Sequence, residues 1–586
     1  MVSDLTFPSG SGDDQLVESP TDSPPVIPSE LGQDSTTRSK QMPIVSGDNS
    51  NNTAYSSGSG EGEEHSGVCD GIIPSLHHAR NLVLCFDGTG DQFDADNSNV
   101  VQFFSMLQKD NRQEQMVYYQ AGIGTYTPPQ IATPFVAKVS KTLDEMVAWN
   151  LSAHVMDGYE FLMQNYEAGD KICIFGFSRG AYTARALAGM VHKIGLLPAC
   201  NHQQVPFAYK MFTRTDPKGW AQSTAFKKAF SMDVHIEFIG VWDTVSSVGL
   251  IPRTLPFTTS NTVVKTFRHA ISMDEHRAKF QANYWNRPTK EEEKLGTARG
   301  DMPKSDGGMA SKGVKREQGG HGDGDKDQHR DRDAKTAKKH RLHQWELERR
   351  FSMLEHEEME TDVLEVWFSG CHCDVGGGSV PNHTRHNLAR IPLRWMIRQC
   401  FLADTGIRFH AELLRTVGLD PASLYPVVLT RPPPVYLSPS VPHPLTETPP
   451  LNLGKLKLIG SNAQPTLPTS GTWGSIGYAC HDSDGPKLSE EEEDLADALS
   501  PIYDQLELAK YWWALEVIPM RHRYQNEDAT WSTDISMNLG RGRRVPRDGK
   551  GNFFVHRSVK LRMESKDLKG PYVPKAQFKF EPTWVD

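Results

Sequence analysis

Ile172-Cys173-Ile174-Phe175-Gly176-Phe177-Ser178-Arg179-Gly180-Ala181-Tyr182-Thr183-Ala184-Arg185 is the stretch that decides the architecture of this chain. An apolar run enters a pentapeptide of the form Gly-x-Ser-x-Gly, and an Ala-rich helical pattern leaves it. A buried strand that feeds straight into a helix needs small residues on either side of the turn, and Gly176 and Gly180 supply them. The serine between them is lifted above the sheet with the helix N-terminus aimed at it. Ser178 therefore reads as a nucleophile on an elbow, with the Arg179 amide placed to donate to an oxyanion. Gly-x-Ser-x-Gly alone arises often by chance, and the alternative is an ordinary serine in a tight strand-to-helix turn. The apolar run before it and the helical pattern after it favour the elbow.

Outward from this stretch, strand-like and helix-like runs alternate. Asn81-Leu82-Val83-Leu84-Cys85-Phe86 reads as a fully buried strand ending in the turn Asp87-Gly88-Thr89-Gly90. Residues 115–120, 171–175, 235–242 and 363–368 read as further strands, and 143–166 and 179–194 as helices. Such alternation predicts an α/β fold with a mostly parallel sheet and helices on both faces.

A nucleophilic serine needs a base, and the base needs an orienting carboxylate. In open α/β sheets these groups gather beyond the C-terminal strand ends, in the chain order serine, acid, histidine. The run ending at Val241-Trp242 is followed by Asp243-Thr244-Val245, which supplies the acid, although Asp243 has the alternative role of a plain turn residue. The run ending at Trp367-Phe368 is followed by Ser369-Gly370-Cys371-His372-Cys373-Asp374, which supplies the base. Two further carboxylates stand near likely site loops. Asp274, in Ser272-Met273-Asp274-Glu275-His276-Arg277, reads as a helix start in which the acids bond backbone amides or Arg277, and Asp374 reads as a cap on the Gly-rich turn after it. Only Asp243 directly ends a buried strand and falls between the serine and the histidine.

The amides of Gly88 and Thr89 are candidates to complete the oxyanion hole. The same loop resembles half of a phosphatase signature, but the nucleophile position two residues before Asp87 is Cys85, so that reading fails. Cys371-His372-Cys373 invites a metal, yet adjacent residues after a strand point in alternating directions and no second ligand pair stands at zinc-finger spacing. Neither a metal nor a cofactor is expected, and no phosphate-cradling Gly-rich motif is present.

The formal charge of -10 gives no basic face for nucleic acid. Eight cysteines scattered over 586 residues do not make a disulfide framework, and Cys85, Cys173 and Cys400 sit in apolar runs as small hydrophobes. A reducing compartment is the simpler reading. No signal peptide and no apolar run of about 18 residues is visible, so the chain is expected to be cytoplasmic or peripheral to a membrane, with no transmembrane segment. Residues 1–76, rich in Ser, Gly, Asp, Pro and Thr, are expected to be disordered, as is a charged insertion over about 288–340 closed by a helix from 342 to 358. The expected division is a catalytic domain over 77–425, a Pro-rich and acidic loop region over 426–500, and a C-terminal extension over 501–586 packing on the catalytic domain. In that loop region Glu490–Glu493 read as a surface excursion, and 502–518 beyond it as one amphipathic helix.

Six phrases occur in a telling order: Leu84-Cys-Phe-Asp-Gly-Thr-Gly90, Tyr119-Gln-Ala-Gly-Ile-Gly-Thr125, Gly176-Phe-Ser-Arg-Gly-Ala-Tyr-Thr-Ala-Arg185, Val241-Trp-Asp-Thr-Val245, Ala270-Ile-Ser-Met-Asp-Glu-His-Arg277 and Gly370-Cys-His-Cys-Asp-Val-Gly-Gly-Gly378. Together they resemble the α/β-hydrolase domain common in fungi that is similar to the catalytic domain of the first family of bacterial type VI lipase effectors. The resemblance runs over about 80–400, with weaker echoes near 511–519 and 555–572. It implies a phospholipase-like hydrolase of carboxylic esters with a lipid or other ester as substrate, its triad falling on Ser178, Asp243 and His372. A non-phospholipid esterase or thioesterase would use the same machinery, and a non-catalytic adaptor on the same fold is the rival of another class.

Overall fold

Runs of β-branched and aromatic residues, bounded by turns, become eight strands of one sheet in which every pairing is parallel. They are β1 (Asn81–Phe86), β2 (Gln115–Gln120), β3 (Lys171–Phe177), β4 (Ile236–Trp242), β5 (Val264–Ser272), β6 (Asp362–Phe368), β7 (Phe554–His556) and β8 (Thr583–Val585). This computed structural model describes residues 71–75, 79–122 apart from 90, 136–245, 255–286 apart from 260, 361–438, 488–525, 531–546, and 553–586 apart from 567, 569 and 579. The spatial order β8-β7-β6-β5-β4-β3-β1-β2 reverses direction once, between β1 and β3. At such a reversal the connections leave in opposite directions and open a crevice above the strand ends.

Side chains of a strand alternate between the two faces, and both faces here are covered. Leu82, Leu84 and Phe86 of β1, with Ile172 and Ile174 of β3, join one core cluster with Tyr159, Leu187, Phe212 and Phe226. These last come from α2 (Val136–Asn165), α3 (Ser178–Ile194), α4 (Val205–Thr213) and α5 (Pro217–Phe230). Val83, Cys85, Cys173 and Phe175 belong to a second cluster with Phe103, Trp395 and Cys400. This second layer includes α1 (Asn99–Met106) and α7 (Arg390–Leu402), and the single turn α6 (His372–Gly376) lies just beyond the end of β6. The three cysteines in these runs are free and buried, as the apolar runs imply, and burial pushes their thiols up. Among the described residues no helix is long and apolar enough to cross a membrane.

Several expectations need correction. β5 was not foreseen, and Asp274 follows a central strand rather than opening a helix. The strand carries polar residues that are satisfied sideways: Arg268 pairs with Asp362 at 2.5 Å, and His269 Nδ1 lies 2.8 Å from Glu365. Residues 502–518 form separate turns at Gln505–Leu508 and Trp513–Glu516 with a 3-10 turn between, because Ala509 leaves helical geometry at φ −128°, ψ 81°. Structure also begins before residue 77, inside the expected disordered arm, since Ile72–Ile73 pairs antiparallel with Phe409–His410 and Ile73 is buried in the core. The remaining expectations of disorder before residue 71 and over 288–340, and of a helix over 342–358, lie outside the described residues.

The acidic run is the largest correction. Glu490–Glu493 open α8 (Glu490–Ala498), capped by Ser489, and much of that helix is buried. Its acids meet a ladder of arginines spaced one helical turn apart on α7. Arg390 reaches Glu493 at 2.8 Å, Arg394 reaches Asp494 at 2.6 Å and Asp497 at 2.7 Å, and Arg398 reaches Glu490 at 2.5 Å. Removing one partner of a buried pair leaves the other charge uncompensated, which costs about 3–5 kcal/mol. Arg394→Ala is expected to destabilise the protein by that amount in chemical denaturation, with far smaller effects for Arg415→Ala, which removes a half-buried arginine paired with the exposed Glu412.

Candidate active site

Beyond the C-terminal ends of β3, β4 and β6, Ser178, Asp243 and His372 meet. Ser178 follows β3 directly, and its φ of +58° lies in the left-handed region that a non-glycine residue occupies only under constraint. The constraint is visible on both sides. A Cβ at Gly176 would stand 2.6 Å from the Gly180 carbonyl oxygen, and one at Gly180 would stand 2.3 Å from the carbonyl oxygens of Phe86 and Asp87. The two glycines therefore let β1, β3 and α3 close up beneath the serine.

His372 stands four residues beyond β6, at the first position of α6. Its Nε2 lies 2.8 Å from Ser178 Oγ, and its Nδ1 lies 2.5 Å from Asp243 Oδ2. Asp243 follows β4 and also has positive φ, +38°. The three residues come from loops 65 and 129 positions apart, as the chain order expected, and they are all buried. The imidazole is held between two rings, Phe177 at 4.7 Å and Phe280 at 4.9 Å between centroids. Burial pushes the His372 pKa below its ordinary value, and the hydrogen bond and charge of Asp243 only partly restore it. Burial would raise the Asp243 carboxyl, but Arg543 and then His372 outweigh it and hold the group well below the usual carboxylate range.

The other two acids are elsewhere employed. Asp374 accepts from the amides of Cys371 and Tyr503 and from Ser379 Oγ, closing the capping box of α6. Asp274 accepts from the Gly370 amide at 2.6 Å, from Tyr572 Oη at 2.7 Å and from the Lys575 amide at 3.0 Å, so it ties the β6 loop to the C-terminal segment. Cys371 Sγ lies 3.5 Å from the Asp274 carbonyl. In the first-strand loop, Asp87 is engaged by Ser98, Tyr119 and the Gly88 amide, the last at 2.8 Å. That engagement of Gly88 was not anticipated. Thr89 Oγ1 is buried without a hydrogen-bond partner among the described residues. The Arg179 amide opens the first turn of α3, where no carbonyl of a preceding turn exists to take it.

Glu275 pairs with Arg277, as the reading of this segment expects, and also accepts at 3.3 Å from the His372 amide, while Arg277 lies 3.5 Å above the Phe280 ring. Sequence reasoning missed one neighbour of Asp243. Arg543, far along the chain, forks onto both oxygens of Asp243 at 2.5 and 2.9 Å. The only signal for it was the Gly-Arg-Gly-Arg-Arg run at 540–544.

A parallel sheet whose reversal point carries a positive-φ elbow serine facing a histidine makes this an α/β-hydrolase-like fold. Residues 80–399 match the family model described as T6SS, Phospholipase effector Tle1-like, catalytic domain, and the chain belongs to that family. An uncharacterized protein of Saccharomyces cerevisiae, YEL023C, is 26% identical over 565 residues, covering 84% of this chain and 80% of that protein. Among solved structures, an uncharacterized protein from Pseudomonas aeruginosa is similar at 17% identity and a TM-score of 0.27, over 59% of this chain and 48% of that one. The Tle1 effector bound to the VgrG spike from the type 6 secretion system is similar at 16% identity and a TM-score of 0.19, over 37% of this chain and 49% of that one. The chain thus spans about half the length of each of these two solved structures.

Proposed function

We propose that this protein is a serine hydrolase of lipid carboxylic esters, phospholipid acyl esters foremost, working through an acyl-serine intermediate. The observation that carries the reading is the unbroken relay from Ser178 Oγ through His372 to Asp243, at 2.8 and 2.5 Å, on an elbow held at positive φ. His372 Nε2 takes the proton from Ser178 as the hydroxyl attacks the acyl carbon, then returns it to the leaving alcohol. Asp243 keeps Nδ1 protonated and supports the imidazolium. The Arg179 amide and a donor from the Gly88-Thr89 turn hold the oxyanion. A water activated by the same histidine releases the fatty acid. Membership of a phospholipase effector family favours lipid over other esters. The catalytic unit comprises residues 77–425 together with Ile72–Ile73, α8 and the C-terminal segment 501–586.

Purified protein should label with a fluorophosphonate probe and release fatty acid from phosphatidylcholine or phosphatidylglycerol vesicles. Because burial holds His372 below the ordinary histidine value of ~6.5, the acid limb of kcat/KM should fall below that pH. Release from short-chain esters or thioesters but not from vesicles would move the substrate class. A folded protein that does not label would make it a dock built on a hydrolase fold.

A further inference from the structure

We infer that Arg543 is a positioning residue of the relay, fixing the Asp243 carboxylate and setting the basicity of His372 from a segment outside the matched family region. The inference rests on the serine hydrolase reading above. It begins from hydrogen-bond capacity. A guanidinium has five N–H donors in a planar fork, and here all five are used within the site. Nη1 donates to Asp243 Oδ1 at 2.5 Å and to the Ser272 carbonyl at 3.1 Å. Nη2 donates to Asp243 Oδ2 at 2.9 Å and to the Phe280 carbonyl at 2.6 Å, which also accepts from Nε at 3.1 Å. Asp243 Oδ1 additionally accepts from the Ser272 amide at 2.9 Å. With both oxygens gripped from behind, the carboxylate has no freedom to swing, and one lone pair of Oδ2 faces His372 Nδ1.

The charge matters as much as the grip. Asp243 and Arg543 are 0% and 2% exposed, so water screens their interaction little. Other titratable groups facing this centre are the charged Glu275 and Arg277 beside His372, and, near Asp243, His269 and Tyr284, which burial keeps neutral. Glu275 and Arg277 already pair with each other at 2.7 Å and largely offset one another. The Asp243 charge is therefore the main influence favouring the imidazolium, and Arg543 is its counter-charge. Arg543 thus keeps His372 available as a neutral base at lower pH than an uncompensated aspartate would allow, while its backbone bonds to Ser272 and Phe280 join β5 and the ring that flanks His372.

The test compares wild type, Arg543→Met, Arg543→Lys and Ser178→Ala. Two profiles are read against pH: kcat/KM on a p-nitrophenyl ester, and the His372 imidazole resonance in 13C-histidine-labelled protein, assigned with His372→Gln. In Arg543→Met the acid limb and the resonance midpoint should both move up by about one pH unit or more, because the carboxylate charge is no longer offset. Turnover should fall by roughly a hundredfold as Asp243 loses its fixed position. Arg543→Lys keeps the charge but not the fork, so its acid limb should stay near wild type while kcat falls. A folded Arg543→Met whose limb and midpoint coincide with wild type overturns the inference. If Arg543→Met does not fold, Arg543→Lys decides: wild-type kcat there overturns it. Failure of the hydrolase reading looks different, as wild-type protein without ester turnover or with turnover surviving in Ser178→Ala.

Discussion

Ser178→Ala should abolish probe labelling and lower ester turnover by about 10^5–10^6-fold, the scale on which a triad nucleophile is missed. The change removes one oxygen and leaves the elbow intact. Gly176 and Gly180 still permit the close approach of Phe86, Asp87 and α3, and the Ser178 carbonyl still accepts from the Val245 amide at 3.4 Å. The melting temperature should therefore stay within a few degrees of wild type, which separates lost chemistry from lost fold. Labelling that persists in this variant would place the nucleophile elsewhere.

The second large effect is expected from Asp243→Asn, and it should be double. An amide at this position would turn its oxygen toward Arg543 and its NH2 toward His372 Nδ1, which must then accept. The proton shifts to Nε2, and the imidazole donates to Ser178 Oγ instead of accepting from it. Turnover should fall about 10^3–10^4-fold for that reason. In addition, the buried Arg543 loses its counter-charge, at about 3–5 kcal/mol in stability. Asp274→Asn and Asp374→Asn serve as the comparison. Each weakens bonds to backbone amides and a hydroxyl and should lose about 1–3 kcal/mol while retaining most of the turnover. Turnover and chemical denaturation of all three variants side by side decide the matter. An Asp243→Asn protein that is active and merely destabilised would take Asp243 out of the relay.

Strands β1, β2, β3, β4 and β6, and the three residues that meet at Ser178, were legible because their signals are local. An apolar run followed at once by Gly-x-Ser-x-Gly needs nothing distant to be read, and Asp243 and His372 each stand just past such a run. β5 was hidden by Lys265, Arg268 and His269, polar residues that break the apolar pattern; two of them, Arg268 and His269, bond to β6 residues across the sheet. The acid run of α8 looked like solvent-facing charge because its partners lie on α7, about a hundred residues earlier. Arg543 was illegible for the same reason in stronger form: a single arginine in a Gly-rich loop acquires meaning only when folding brings it to Asp243. Local pattern reveals which groups carry chemistry, whereas the groups that tune them are chosen by tertiary proximity.

The clamp on Asp243 also has a consequence in time. Asp243 and Arg543 are 300 residues apart in the chain. At synthesis rates of about 5–20 residues per second, roughly 15–60 s pass between the emergence of the acid and that of its arginine. Ser178 and Asp243 emerge first and His372 follows 129 residues after Asp243, so until Arg543 is made the acid has no counter-charge behind it, and the C-terminal strands of the sheet have yet to be made. Contacts of such long sequence separation are the slowest to close. The clamp on Asp243 therefore closes only after Arg543 and the segment around it have been made, and an Asp243–His372 pair formed before then lacks its arginine.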